Sequence, residues 1–216
     1  MKNSAAIDHR LAAHCRALGS CRRCAHGTEV RPIVSAALRP RVMLVGQAPG
    51  QVEADGGKPF AGRAGKTLFR WLERVGLDEA TARERIYIAA ITRCYPGPSP
   101  SGRGDRVPSA AERANCASWL EDELRIVRPR LLIPVGRLAI ERFLPTRPLD
   151  ELIGCEHDVE HEGGRSVAIP LPHPSGASSW IHQADHPRLL DRALQLIGVR
   201  LAALRVTSRQ HSRSVA

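Results

Sequence analysis

The sequence predicts an α/β fold, a three-layer α/β/α sandwich around a central, mostly parallel four-stranded sheet. Three observations carry this. Short apolar runs begin at Val42, Ile86, Arg130 and Val167, and runs of this kind read as strands buried on both faces. Segments with helical periodicity lie between them. The first strand breaks directly into a Gly/Pro turn, and the last ends in Pro172-His173-Pro174, so loops gather where parallel α/β sheets bind ligands.

In chain order, residues 4–18 read as an amphipathic helix with Ala5, Leu11, Ala12 and Leu18 on one face, delivering Cys21 and Cys24. Residues 33–37 are expected to add a short strand. The first central strand, 42–45, gives way to Gly46-Gln47-Ala48-Pro49-Gly50, and a second Gly-rich turn follows at Lys58-Pro59-Phe60-Ala61-Gly62. A helix over 65–75 places Leu68, Trp71, Leu72 and Val75 in one stripe against the sheet. The second strand, 86–94, ends at Cys94. Residues 96–108, rich in Pro, Gly, Ser and Arg, read as a long mobile loop. Ser109 and Glu112 form a capping-box pattern that opens a helix reaching Val127. A third strand over 130–136 and a helix over 137–143 follow. Next come a polar strand pair over 150–166 turning at Gly163-Gly164, a fourth central strand over 167–171, and a helix over 187–204. Residues 1–204 are expected to form one domain, and the basic tail 205–216 to be disordered.

The chain has 216 residues, 43% of them apolar, a net charge of +10 and a pI near 10.2. That charge suits a polyanionic partner, nucleic acid before an anionic membrane surface. A general preference for Arg over Lys would give the same charge with no partner at all. No run of about 18 apolar residues is present, which argues against a transmembrane helix. No apolar leader is visible, so a bacterial cytoplasmic protein associated with the nucleoid, and a monomer, is expected.

In that setting the six cysteines, Cys15, Cys21, Cys24, Cys94, Cys116 and Cys155, are not a disulfide framework. Cys21 and Cys24 form a CxxC pair with no preceding βαβ strand, so a thioredoxin-type redox pair does not fit. Cys94 ends a strand and Cys116 lies in the next helix, so both can converge on the pair. One tight pair with two dispersed thiolates suits an iron–sulfur centre better than the paired knuckles of structural zinc. The alternative is that Cys94 and Cys116 are buried as small hydrophobes.

Read in order, GQAPGQVEADGGKPFAGRAG, YIAAITRCYPG, RLLIPVG and HPSGASSW resemble the motifs of the uracil-DNA glycosylase superfamily. The closest branch is the iron–sulfur family four, and the resemblance covers residues 18–204. It implies a DNA glycosylase that flips a deaminated base, uracil first, out of DNA and hydrolyses its N-glycosidic bond in base excision repair. It implies a structural [4Fe–4S] cluster on Cys21, Cys24, Cys94 and Cys116. Phe60 matches the stacking aromatic. The Gln47 amide and His173 match the donors to the base oxygen, where charge develops. Ala48 and Ala90 fall on the base pocket. Lys58, Arg63, Arg103, Arg106, Ser175 and Trp180 fall where damaged DNA would pass, the basic residues near phosphate. Plainer readings stand beside these: Phe60 as a core ring, His173 as a satisfied loop histidine, Arg103 and Arg106 as a solvated loop, Trp180 as a packed side chain.

Three positions depart from the family pattern. Gln47 stands where family four carries the acidic residue that places or activates water, and Ala48 where the classical branch is acidic. General-base help is typically worth about a hundredfold or more. Glu53 and Asp55 lie in the same loop and could substitute, Glu53 equally well as a loop-structuring residue. Ala90 stands where an Asn reads the uracil edge, which enlarges the pocket and weakens discrimination. Ala177 occupies the wedge position, leaving Trp180 to fill the gap of a flipped base. The crosslinking relatives carry a nucleophilic His in a basic insert; residues 96–108 contain none, so crosslinking is not expected. Beside a working enzyme, the same residues allow a silent binder of damaged DNA, a glycosylase with another base preference, or an enzyme for a different N-glycoside.

Overall fold

The computed structural model describes residues 2–24, 31–35, 37, 40–101, 104–175, 180–183 and 185–207, with the backbone alone at 2–6. The elements run α1 (Lys2–Gly19), β1 (Val42–Gly46), α2 (Gln51–Gly56), α3 (Arg63–Glu73), α4 (Glu79–Arg85), β2 (Ile86–Ala90), α5 (Ala110–Val127), β3 (Leu131–Pro134), α6 (Arg137–Ile140), α7 (Leu149–Leu152), β4 (His157–His161), β5 (Gly164–Ala168), a 3-10 turn (Trp180–His182) and α8 (His186–Leu204). The strand order is β2-β1-β3-β5-β4, parallel except for the edge strand β4.

Alternation along each strand divides the core between two faces. Val42, Leu44, Ile86, Ile88, Leu131 and Ile133 pack with residues of α3 and α8. Met43, Val45, Tyr87, Ala89 and Leu132 pack with residues of α1, α5 and α6. With helices on both faces, β1, β2 and β3 have no polar side, and this is why they read as unbroken apolar runs.

The sheet has five strands instead of four. The polar pair and the fourth central strand are one hairpin, in which β5 is both an arm of the pair and the parallel neighbour of β3. The turn falls at Glu162-Gly163, and the line of β5 continues through Ile169 and Leu171, whose N–H groups donate to Leu132 and Pro134 at 2.9 Å.

Residues 33–35 and 37 form no strand. They run along the sheet edge at β2 and touch it through isolated bonds: Ile33 N–H donates to the Arg93 carbonyl at 2.8 Å, and the Ser35 hydroxyl accepts from Ile88 N–H at 3.1 Å. A side chain thus occupies the edge donor that a sixth strand would have used.

The stretch 96–108 is not a mobile loop over its described residues. It folds back as a small hairpin: Arg106 N–H donates to Gly97 at 3.0 Å, Ser99 N–H to Gly104 at 2.9 Å, and Pro98 bridges Asp105. Gly97 and Gly104, at φ of 110° and 73°, supply the left-handed conformations this needs. The tail also begins ordered. Arg205 caps α8, and Val206 is buried in the core with its N–H on the Leu201 carbonyl; residues 208–216 lie outside the described residues. Among the described residues no helix is long and apolar enough to cross a membrane.

Behind β2, the wholly buried Glu123 of α5 accepts from the Tyr87 hydroxyl at 2.7 Å and pairs with the buried Arg93 guanidinium. Removing one partner of a buried pair strands the other charge in low dielectric. Glu123→Ala is therefore expected to cost about 3–5 kcal/mol and to lower Tm by about 10 °C, measured by thermal unfolding. A Tm change within about 2 °C would show that the pair does not brace the fold.

Candidate functional site

The carboxyl edge of the sheet gathers two rings, each seated on a glycine. Phe60 lies over Gly46, where an added Cβ would stand 2.9 Å from its Cζ. His173 lies over Gly136, where an added Cβ would stand 3.0 Å from its Cδ2. Gly46 ends β1, and Gly136 follows the end of the neighbouring β3, in which Val45 pairs with Pro134. The two rings therefore stand over adjacent parallel strands. Ala90 closes β2 in register with Gly46, so a methyl group borders the site on that side.

The turn carrying Phe60 is built from outside its own sequence. Phe60 has φ of 52°, a left-handed conformation that bulky residues adopt only when held. Arg83 of α4 holds it, donating to the Pro59 carbonyl at 2.8 Å and the Phe60 carbonyl at 3.1 Å while its guanidinium covers the Phe69 ring at 4.6 Å. Nothing near Phe60 in the chain signals Arg83. Glu53, only 8% exposed, joins this turn to the preceding one: its Oε2 accepts from Gly50 N–H at 3.0 Å and its Oε1 from Gly62 N–H at 2.9 Å. It structures the loop, each oxygen accepting one backbone N–H. Asp55 is exposed and accepts from the Gln51 side chain one helical turn away.

Gln47 and Ala48 follow β1 directly and are half-buried. The Gln47 carbonyl accepts from Thr92 N–H at 3.2 Å, which fixes the peptide plane at the start of the turn. Lys58 and Arg63 flank Phe60 and are exposed. His173 is held by Ser175, whose backbone N–H and hydroxyl lie 3.3 and 2.8 Å from Nδ1. A backbone N–H can only donate, so Nδ1 accepts, and the proton of the neutral ring is assigned to Nε2. Burial pushes the His173 pKa below its ordinary value, which favours this neutral form.

Other expected DNA contacts are engaged elsewhere. Arg106 makes a two-pronged pair with Glu112 at 2.7 and 2.5 Å, holding that carboxyl down to about 2, so the fork survives acid until pH approaches that value. It anchors the 97–106 hairpin to α5 and is not a free phosphate ligand. Trp180 packs against the core and stacks on His186, centroids 4.1 Å apart, so it does not project as a wedge. Arg103 and Ala177 lie outside the described residues.

Cys21, Cys24, Cys94 and Cys116 line one small cavity, together with Leu18, Pro32, Arg93 and Asn115. None of the four is in a disulfide. N–H groups approach three of the sulfurs. Trp119 Nε1 donates to Cys21 at 3.3 Å, the Asn115 amide lies 3.8 Å from Cys24, and the Arg93 backbone donates to Cys116. Burial, with the neighbouring sulfurs, pushes the Cys94 thiol up to about 12. Among the described residues no group of three or more His, Cys, Asp or Glu is drawn tightly enough to hold a single metal ion.

The sheet is mostly parallel, and its carboxyl edge, where α/β folds bind ligands, gathers an aromatic ring, an imidazole and a short Gly/Pro turn. The chain belongs to the Uracil DNA glycosylase superfamily, whose family model matches residues 33–198. A type-4 uracil-DNA glycosylase of Thermotoga maritima is 30% identical over 138 residues, 64% of this chain and 66% of that protein. One from Archaeoglobus fulgidus is 30% identical over 167 residues, 74% of this chain and 79% of that protein. A type-5 uracil-DNA glycosylase of Pyrobaculum aerophilum is 36% identical over 113 residues, 47% of each chain.

The approach of α3 to the Phe60 turn admits no side chain at Gly65, where a Cβ would fall 1.8 Å from the Phe60 carbonyl oxygen. Gly65→Ala is expected to lose about 3 kcal/mol, read as a Tm drop of about 6–12 °C, whereas Gly56→Ala, with open space around it, stays near wild type. Equal Tm values for the two variants would contradict this packing.

Proposed function

We propose that the protein is a monofunctional uracil-DNA glycosylase. In this reading it flips a deaminated base from DNA into the carboxyl-edge site and hydrolyses the N-glycosidic bond with water. The observation that carries the reading is the pair of rings over Gly46 and Gly136, set at the motif positions of a chain in this superfamily. Phe60 stacks the base. As the bond breaks, negative charge collects on the base oxygen, and the His173 Nε2–H and the Gln47 backbone N–H donate to it. The Gln47 side chain positions the water. Lys58 and Arg63 lie near phosphate, and the net charge of +10 supports DNA as the partner.

A methyl group at Ala90 offers no hydrogen bonds to the base edge, so discrimination among deaminated bases is loose. The uncharged Gln47 favours one rival, a silent reader of damaged DNA. Single-turnover excision from duplexes containing uracil, hypoxanthine or xanthine separates the two. Uracil release is expected, falling about 100-fold or more in His173→Ala. Because the neutral ring is the donor, the rate stays level as pH falls through the ordinary imidazole value of 6.5 and drops only below it. No release of any base by excess enzyme would leave the reader.

The same reading includes a [4Fe–4S] cluster on Cys21, Cys24, Cys94 and Cys116. The donor set fits: four unpaired thiols around one cavity and N–H donors to three sulfurs. Such a cluster would tie residues 21–24 to the end of β2 and to α5, and it takes no part in the hydrolysis. Anaerobically purified protein is expected to be brown, and Cys94→Ala to lose the visible absorbance together with thermal stability. A colourless protein with stoichiometric zinc would contradict the cluster.

A further inference from the structure

We propose that Asp105 is the carboxylate that accepts the proton of the attacking water, in place of the acidic residue that Gln47 and Ala48 do not supply. This rests on the glycosylase reading and assigns its missing base. The 97–106 hairpin folds Asp105 back over the turn that begins at Gln47. A Cβ on Gly50 would stand 2.8 Å from Asp105 Oδ2, so only a glycine at the far end of that turn leaves room for the carboxylate. Three features hold it there. Pro98 bridges Asp105, Arg106 N–H donates to Gly97, and the Arg106 guanidinium grips Glu112 at the start of α5. The Tyr95 hydroxyl hydrogen-bonds the Asp105 side chain.

Of the other carboxylates of the edge, Glu53 is buried, each oxygen accepting one backbone N–H, and Asp55 accepts from the Gln51 side chain within α2. Asp105 is exposed, so water reaches it. It comes from a stretch about fifty residues away in sequence, brought to the site by the fold. In the step, the bond from the sugar carbon to the base nitrogen breaks and its electron pair leaves with the base. The water oxygen bonds to the sugar carbon, and its proton passes to the Asp105 carboxylate. The base anion, held by His173 and the Gln47 amide, is protonated from solvent on release.

The test uses the full-length protein in single-turnover excision of uracil from duplex DNA. Affinity is measured in parallel on DNA carrying a non-hydrolysable deoxyuridine analogue. Asp105→Asn is expected to lose about 100-fold or more in rate while Kd stays within about twofold. Asp105→Glu regains part of the rate, and Tyr95→Phe loses about tenfold with unchanged Kd. If the wild type excises uracil and Asp105→Asn keeps its rate to within about threefold, the inference is overturned and the glycosylase reading stands. If Asp105→Asn loses rate and affinity together while Tyr95→Phe matches wild type, Asp105 only shapes the hairpin and the inference is again overturned. If the wild type releases no base, the glycosylase reading itself fails, and the inference with it.

Discussion

The buried carboxylate of Glu53 is the joint on which the carboxyl edge depends. One side chain holds two turns, one oxygen on Gly50 N–H and the other on Gly62 N–H. Bonds from backbone donors to a carboxylate are charge-assisted, and breaking them would leave a buried charge and two amides unsatisfied. The first turn sets Gln47 at the end of β1 and the second sets Phe60 over Gly46, so their separation is fixed through this residue. Arg83 braces the second turn from α4, which lets Phe60 keep its left-handed backbone.

The cysteine cavity and the site share elements. Cys94 immediately precedes Tyr95 at the root of the 97–106 hairpin, and Cys116 lies one helical turn beyond Glu112, which anchors the far side of that hairpin through Arg106. The cysteine cavity therefore borders the point where the hairpin leaves the sheet. The buried Arg93–Glu123 pair and the Tyr87 hydroxyl reinforce the same corner from behind β2.

Much of the fold was legible because its signals are local. The strands β1, β2 and β3 are unbroken apolar runs, and α5 begins at the Ser109–Glu112 box that the structure contains. The loops of the carboxyl edge could be read from the Gly/Pro turns, and Phe60 and His173 sit there over Gly46 and Gly136. What stayed hidden depends on distant partners. The hairpin at 97–106 looks like loop composition, since its order comes from the Arg106 fork and two left-handed glycines. Arg83 and Asp105 carry no motif of their own and reach the site only through the topology. Residues 33–37 have strand-like apolarity, but a Ser35 hydroxyl takes the edge bond. Trp180 and Arg106 were plausible DNA contacts by residue type, and the structure engages both within the protein.

The central claim is geometric: one base, flipped out of DNA, lies against Phe60 with its oxygen in reach of His173 Nε2 and the Gln47 amide. A crystal structure of the protein with duplex DNA carrying a non-hydrolysable deoxyuridine analogue tests it most directly. The account predicts the uracil ring stacked on Phe60, with one carbonyl oxygen about 3 Å from both donors. A base that stays stacked in the duplex, or that binds away from the carboxyl edge of β1 and β3, would contradict it.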